Sequence, residues 1–336
     1  MKYKQVAGLF FNIIFVFSTL TRQNKLKQMV SENKSKLAEF TVQGFTDLPV
    51  LQFPLFMTFL FIYITIVLSN IIIFASIVLN SHLHTPMYIF LCNLSFIDIS
   101  YTSTILPKLL DMVLTQCKTI SFLECFIQVY FFMSFACTEF LLLAAMAYDR
   151  YVAICHPLRY SILMSPKRCA YLLLAVWIAG FLDPVIHTSF IVNLSFCSSY
   201  NIDHFYCDVS PLLTITCSDT FTISIWNYIN GTLIAITSFT YTLVSYVFII
   251  TAILNIQSAG GRRKAFSTCA SHMTSVIVFY GTMISVYIRP ASTYSPQQDK
   301  FFALLYVVCI PMLNPLIYTL KNKDFHHVFK KLETKI

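Results

Sequence analysis

The sequence predicts an all-α membrane protein, a bundle of seven transmembrane helices. Composition is the first reason: hydrophobic residues make up 57% of the 336 and charged residues only 11%, where a soluble domain carries roughly a quarter charged. The second is a series of seven apolar runs beyond residue 53, each long enough for the ~30 Å hydrocarbon core of a bilayer. The third is that Lys and Arg collect in alternate connections between those runs. A water-soluble fold could not cover its surface with so few charges. Disorder is excluded by the amount of apolar side chain, and 7 Gly with 12 Pro exclude collagen-like or Pro/Gly-rich chains.

The runs are Phe53–Leu79, Met87–Leu106, Phe126–Tyr148, Ala170–Ile186, Ile223–Ile253, Thr268–Ile288 and Phe301–Leu320. Continuous apolarity means helices, because a barrel strand would alternate. No repeated or inverted halves are visible. One set of connections, with the tail, holds 12 basic residues: Arg150, Arg159, Lys167, Arg168, Arg262, Arg263, Lys264, Lys321, Lys323, Lys330, Lys331 and Lys335. The opposite set holds 4, namely Lys108, Lys118, Arg289 and Lys300. The positive-inside rule then predicts a cytoplasmic tail, residues 321–336, and an extracellular segment 29–52 before the helical domain 53–320. The net charge of +8 reflects this orientation and implies no nucleic-acid partner.

Residues 1–28 read separately, as an N-terminal extension or a signal-like segment. Lys2 and Lys4 precede an apolar stretch, Val6–Leu20, in the manner of a signal peptide. No small-x-small cleavage site follows, and Asn12 interrupts the stretch. The reading favoured is an extension upstream of a start at Met29.

Ionisable groups inside spans are costly and point to function. Asp98 lies midway along the second run and Glu139 within the third. Each is either neutral, or paired with a hydroxyl such as Ser95 or Ser134, or both share a cation or proton; the shared site is favoured. Asp183, beside Pro184 near the outer end of run four, needs no special role. Asp149-Arg150-Tyr151 closes run three, and Pro315 weakens the last helix by removing a backbone hydrogen bond. Together these describe a bundle with two packing states. Cys125, Cys197, Cys207 and Cys217 lie on the outer side, which predicts two disulfides with three possible pairings. No CxxC, His-x-x-x-His or His-Glu-x-x-His pattern exists, so neither a metal scaffold nor a metalloprotease is indicated.

Six motifs, in order, now carry a resemblance: HTPMYIFLCNLSFID (His84–Asp98), MAYDRYVAIC (Met146–Cys155), Ser245-Tyr246, KAFSTCASH (Lys264–His272), FYGT (Phe279–Thr282) and PMLNPLIY (Pro311–Tyr318). From Met29 to the tail the chain resembles the vertebrate olfactory (odorant) receptors, within the rhodopsin-like, class A, G-protein-coupled receptors. Leu123-Glu124 depart from the small residues usual in that family. The resemblance implies an activation switch at Asp149, Arg150 and Tyr151, with Tyr246, His272 and Tyr318 as partners. It implies a polar core of Asn70, Asp98, Glu139 and Asn314, where related receptors hold a sodium ion. No cofactor is required; an allosteric sodium ion at Asp98 and Glu139 is the one addition. Val328, Phe329 and Leu332 fit a short amphipathic cytoplasmic helix, or equally a frayed basic tail.

By the same resemblance the disulfides are Cys125–Cys207 and Cys197–Cys217, with Cys125–Cys217 the runner-up and Cys117 free. The ligand would lie between helices, against Phe132, Met133, Ala136, Cys137 and Phe140 on run three. Asn230 and Ile234 on run five, and Tyr280, Met283, Ile284 and Tyr287 on run six, would face them. No basic residue stands there, so a small, volatile, largely apolar ligand is expected rather than an anion. The implied function is odorant binding coupled to an olfactory-type stimulatory heterotrimeric G protein at the plasma membrane, with no catalysis. A transporter would show repeated halves with broken helices, and an intramembrane enzyme a nucleophile–base pair; the sequence has neither. Asn33-Lys34-Ser35 is the expected glycosylation sequon. Asn93 and Asn230 match the pattern within or beside the membrane, and Asn193 in the outer loop.

Overall fold

A computed structural model describes residues 39–45, 49–196, 200–287 and 296–320. The N-terminal extension, Asn33, Cys197 and the tail with its expected amphipathic helix lie outside the described residues. Among the described residues there are seven long helices: α1 Pro49–Leu79, α2 Pro86–Thr115, α3 Phe122–Cys155, α4 Pro166–Val192, α5 Phe221–Leu254 and α6 Ala259–Tyr287. The seventh, α7, runs Pro296–Leu304, passes through a π-helical turn at Leu305–Cys309, and continues as Ile310–Leu320.

Several helices outrun the apolar stretches that predicted them. The 34 residues of α3 reach about 50 Å at 1.5 Å per residue, well beyond a bilayer core, so its ends stand at the interfaces. Its start is fixed by a capping box, with Ser121 Oγ accepting from Glu124 N and Glu124 Oε2 accepting from Ser121 N. The unusual Glu124 therefore has a local task. Pro residues open α2 and α4, where the missing N–H costs nothing. Six of the seven helices are long and apolar enough to cross a membrane. The exception is α6, which carries Ser267, Ser271, His272, Thr274 and Ser275 among its apolar residues.

The bundle is built around α3, which packs against α2, α4, α5 and α6, while α7 closes the ring against α1, α2 and α6. Side chains turned outward are large and apolar, such as Phe53, Leu182, Tyr228 and Ile277, as a lipid-facing surface requires. Hydrophobicity cannot drive one such helix onto another in lipid, so close packing matters more. At Gly180 the backbone of α4 approaches α3 so closely that an added Cβ would stand 2.1 Å from Thr138 Oγ1 and 3.0 Å from its Cα. Trp177 Nε1 donates to Asn93 Oδ1 at 2.9 Å, joining α4 to α2.

At the Cys125 end of the bundle a small sheet has the order β2-β1-β3. β1 (Glu39–Val42) runs antiparallel to β2 (Thr119–Ser121), with Phe40 opposite Ile120, and parallel to β3 (Asn201–Ile202). Phe40 is fully buried among Phe122 at 4.2 Å, Phe196 at 5.1 Å and Tyr200 at 6.2 Å. This aromatic cluster seats the segment before α1 on the loop between α4 and α5.

The α3–α4 contact yields a first prediction. Gly180→Val should destabilise the receptor by ~1–3 kcal/mol, as overpacking does, and lower its surface level. Gly180→Ala should be milder, and adding Thr138→Ala should restore most of its loss in thermal-midpoint measurements of the solubilised protein.

Candidate functional site

Polar and titratable groups gather at the two ends of α3 and midway between them. The first group lies beneath the α4–α5 loop. A disulfide joins Cys125, one turn into α3, to Cys207 in that loop, with 5.4 Å between their Cα atoms. Gln128 reinforces it by accepting from Cys207 N at 2.9 Å and donating to the Thr104 carbonyl at 2.9 Å. One side chain thereby ties α2, α3 and the loop together. Cys217 is also disulfide-bonded; its expected partner Cys197 lies outside the described residues. Cys117 is free and exposed.

The pinned loop roofs a cavity of about 100 Å³. Its walls include Phe132 from α3, His204, Tyr206 and Asp208 from the loop, and Asp299 and Tyr306 from α7. Phe132 and Tyr206 meet at 5.0 Å between ring centroids. Asp208 caps a short helix, Val209–Thr214, through its Oδ1 and the Val209 N–H at 2.7 Å. Burial pushes the Asp208 carboxyl up, and the charge of Asp299 adds to this. His204 is held down at about 3, because burial and the nearby Lys300 charge disfavour the imidazolium. Lys300 itself donates to Asp203 Oδ1 at 2.6 Å and to the Gly44 carbonyl at 3.5 Å.

Of the side chains expected around a ligand, Phe132 lines this cavity. The other described ones sit elsewhere. Phe140 packs on Phe279 at 4.7 Å and on Tyr280 at 5.7 Å, joining α3 to α6. Met133 and Ala136 are half-buried, and Cys137 and Met283 are buried. Ile234 is half-buried on α5. The side chains of Ile284 and Tyr287 lie outside the described residues. Asn230 is engaged: its Nδ2 donates to Asp183 Oδ1 at 2.6 Å and to His187 Nε2 at 2.8 Å, while His187 Nδ1 bonds Asn227 Oδ1. Asp183 thus belongs to an α4–α5 network that the sequence did not reveal, since its members lie on two helices.

Between the ends lies the expected polar core, and the structure brings only part of it together. Asn314 Nδ2 donates to both carboxylate oxygens of Asp98, at 3.2 and 3.1 Å. Asn70 turns to backbone instead, donating to the Ile66 carbonyl at 3.0 Å and the Pro311 carbonyl at 3.1 Å. Glu139 is buried, and its Oε1 has no hydrogen-bond partner among the described residues. Ser134 donates to the Tyr130 carbonyl at 2.8 Å. No group of three metal-ligating His, Cys, Asp or Glu side chains occurs among the described residues.

At the far end Arg150 folds back on Asp149, with Nε donating to Oδ2 at 2.9 Å and a second nitrogen to the same oxygen. Tyr160 donates its hydroxyl to the other oxygen of Asp149 at 2.8 Å. Tyr246 on α5 and His272 on α6 share a 2.7 Å hydrogen bond between OH and Nδ1. Tyr151 pairs with His156 Nε2 at 3.1 Å, and Tyr318 is buried. Ala147, Ile249, Ile253 and Cys269 pack with Tyr246 into one apolar cluster that closes this end of the bundle.

A seven-helix bundle with a loop-roofed cavity at one end and an arginine held by its neighbouring aspartate at the other has the architecture of a rhodopsin-like receptor. Comparison with known proteins narrows the class. A family model described as "Olfactory receptor" matches residues 59–335. Olfactory receptor 5AR1 of Mus musculus is 49% identical over 304 residues, 90% of this chain and 98% of the relative. Olfactory receptor 5AR1 of Homo sapiens is 46% identical over 90% and 98% of the two chains. Olfactory receptor 5I1 of Homo sapiens is 45% identical over 91% and 97%. The chain belongs to the olfactory receptor family: it is a multi-pass membrane protein and not an enzyme.

Sequence reasoning missed His204, Asp208, Asp299 and Tyr306 as cavity walls. One signal was available for Asp208, which directly follows Cys207 and so is carried to the end of α3 with it. The disulfide supports a second prediction. Cys207→Ser should cost ~2–5 kcal/mol and abolish surface expression, as read by flow cytometry. Gln128→Ala should lower the thermal midpoint while leaving the Cys125–Cys207 peptide intact in non-reducing peptide mapping.

Proposed function

We propose that this chain is an odorant receptor of the plasma membrane, with its amino terminus outside and its tail in the cytoplasm. It binds a small, largely apolar volatile molecule within the helix bundle and activates an olfactory-type stimulatory heterotrimeric G protein. The observation that carries the reading is the Arg150 end. Arg150 is neutralised by Asp149, which Tyr160 also holds, and the apolar cluster around Tyr246 closes the space beside it. Such an end offers two packings, one with the pair formed and one with Arg150 released. A ligand shifts that balance only by binding the two states unequally.

Ligand-dependent cAMP production in transfected cells tests the proposal. A response to at least one member of a broad odorant panel is expected, and Arg150→Ala should abolish it at undiminished surface level. Asp149→Asn weakens the pair and should raise basal cAMP several-fold. The orientation has its own check: an amino-terminal epitope should stain on intact cells and a carboxy-terminal one only after permeabilisation.

An allosteric sodium ion at Asp98 and Glu139 belongs to the same proposal. The donor set fits a hard cation: carboxylate oxygens on two helices, with Glu139 Oε1 and Asn70 Oδ1 buried and lacking protein partners among the described residues. Bound there, sodium would supply the charge that lets both carboxylates stay ionised away from water. Basal signalling in isolated membranes should fall as sodium replaces potassium, and Glu139→Gln should remove that difference. Equal signalling in the two salts would leave a protonated carboxyl in place of the ion.

A further inference from the structure

Asp183, His187, Asn227 and Asn230 form a network with one consistent set of hydrogen positions. Asn227 and Asn230 lie on the inward stripe of α5, which recurs every three or four residues from Ile223 to Thr242. Ile223, Ser238 and Thr242 are buried, while Asn227, Asn230 and Ile234 between them are half-buried. The stripe therefore opens at this level, and two amides stand in the opening. Facing them on α4, His187 is only 2% exposed and uses both ring nitrogens.

An imidazole between two amides has two solutions, since turning both amides over and moving the ring hydrogen would bond equally well. Asp183 removes that freedom. A carboxylate offers only acceptors, so the Asn230 atom 2.6 Å from Asp183 Oδ1 is Nδ2. The same Nδ2 gives its second hydrogen to His187 Nε2 at 2.8 Å. His187 Nδ1 then carries the ring hydrogen and donates it to Asn227 Oδ1. Two groups are left without partners among the described residues: Asn230 Oδ1, an acceptor, and Asn227 Nδ2, a donor. They lie one turn apart on α5.

We infer that Asp183 and His187 are positioning residues that fix Asn230 as a hydrogen-bond acceptor toward the ligand, so that the receptor selects odorants bearing a hydroxyl over their carbonyl counterparts. The inference rests on the receptor reading, which sets Asn230 and Ile234 against the ligand, and it names the polar group of that ligand. A hydroxyl both donates and accepts, so it can serve Asn230 Oδ1 and Asn227 Nδ2 together. An aldehyde or ketone can serve only Asn227 and leaves Asn230 Oδ1 unpaired away from water. Leaving a polar group of the site unpaired is what lets such a site reject the analogue that lacks the hydroxyl.

Alcohols and the aldehydes or ketones of identical carbon skeleton are the probes, in aliphatic, terpenoid and aromatic pairs. Each is read as cAMP in transfected cells and as the thermal midpoint of the full-length receptor in lipid nanodiscs. In the pairs that act, the alcohol should be at least about tenfold more potent than its carbonyl partner, the scale of one unpaired buried group. Asp183→Asn, nearly isosteric, donates as well as accepts, lets Asn230 turn over, and should bring the ratio within about threefold of unity. Asp183→Leu should do likewise. The ratio is the readout because a merely structural loss would weaken both members of a pair alike and leave it unchanged. Equal or greater potency of the carbonyl member at the unmodified receptor overturns the proposal, as does a ratio that survives in surface-expressed Asp183→Asn. A receptor that answers only other odorant classes overturns the hydroxyl selection and keeps the receptor reading. Midpoint shifts by alcohols alone, without cAMP, support the hydroxyl selection and count against G-protein coupling. Silence of every pair in both assays overturns it.

Discussion

The Cys125–Cys207 disulfide is the constraint on which the rest of the loop-side architecture depends. Without it the loop between α4 and α5 would be held over the bundle by non-covalent contacts alone: short strand pairings, the Phe40 aromatic cluster and the Lys300–Asp203 pair. With it, Tyr206 and Asp208 are carried to the end of α3, two turns from Phe132. Gln128 and the Phe40 aromatic cluster then fix the angle at which the loop lies. A cross-link is effective here because it removes conformational freedom from a long segment that buries little surface of its own.

The second constraint is the membrane itself. No water reaches a buried amide or carboxylate there, so each polar side chain must find a partner within the bundle or stay neutral. The pairs that result are the ties between helices: Asn93 with Trp177, Asn70 with the α7 backbone, Asp183 and His187 with Asn227 and Asn230, and Asn314 with Asp98. The Nδ2 of Asn93 donates to the Ile89 carbonyl, and that of Asn230 is bound by Asp183 and His187.

The two ends of α3 are built for different kinds of change. At the loop end a covalent bond, a sheet and an aromatic cluster hold the cavity's shape. At the Arg150 end the contacts are an ion pair, a tyrosine hydroxyl and an apolar cluster, each able to part without breaking a covalent bond. Between them α7 passes through the π-helical turn at Leu305–Cys309, which carries Tyr306 into the cavity wall, and then meets Asp98 through Asn314. π-turns of this kind are frequent at functional sites. One helix therefore touches both the ligand cavity and the polar core.

What the sequence determined by itself is the helical membrane fold, the order of the helices and the burial of Asp98 and Glu139. These follow from runs of apolar residues within a single segment, and a helix expresses such a pattern wherever it is placed. Its helix ends were less legible, because Ser121 and Glu124 cap α3 in polar sequence that the apolar run omits. Tertiary structure alone decided that Asn230 turns to Asp183, that Asn70 serves the α7 backbone, and that Gly180 must lack a side chain against Thr138. It also decided that His204, Asp208 and Asp299 share one cavity. Those residues lie on different segments, far apart along the chain, and none has a local periodicity that reveals the others. Their meeting is set by the cross-link and the helix packing, which only the folded chain possesses.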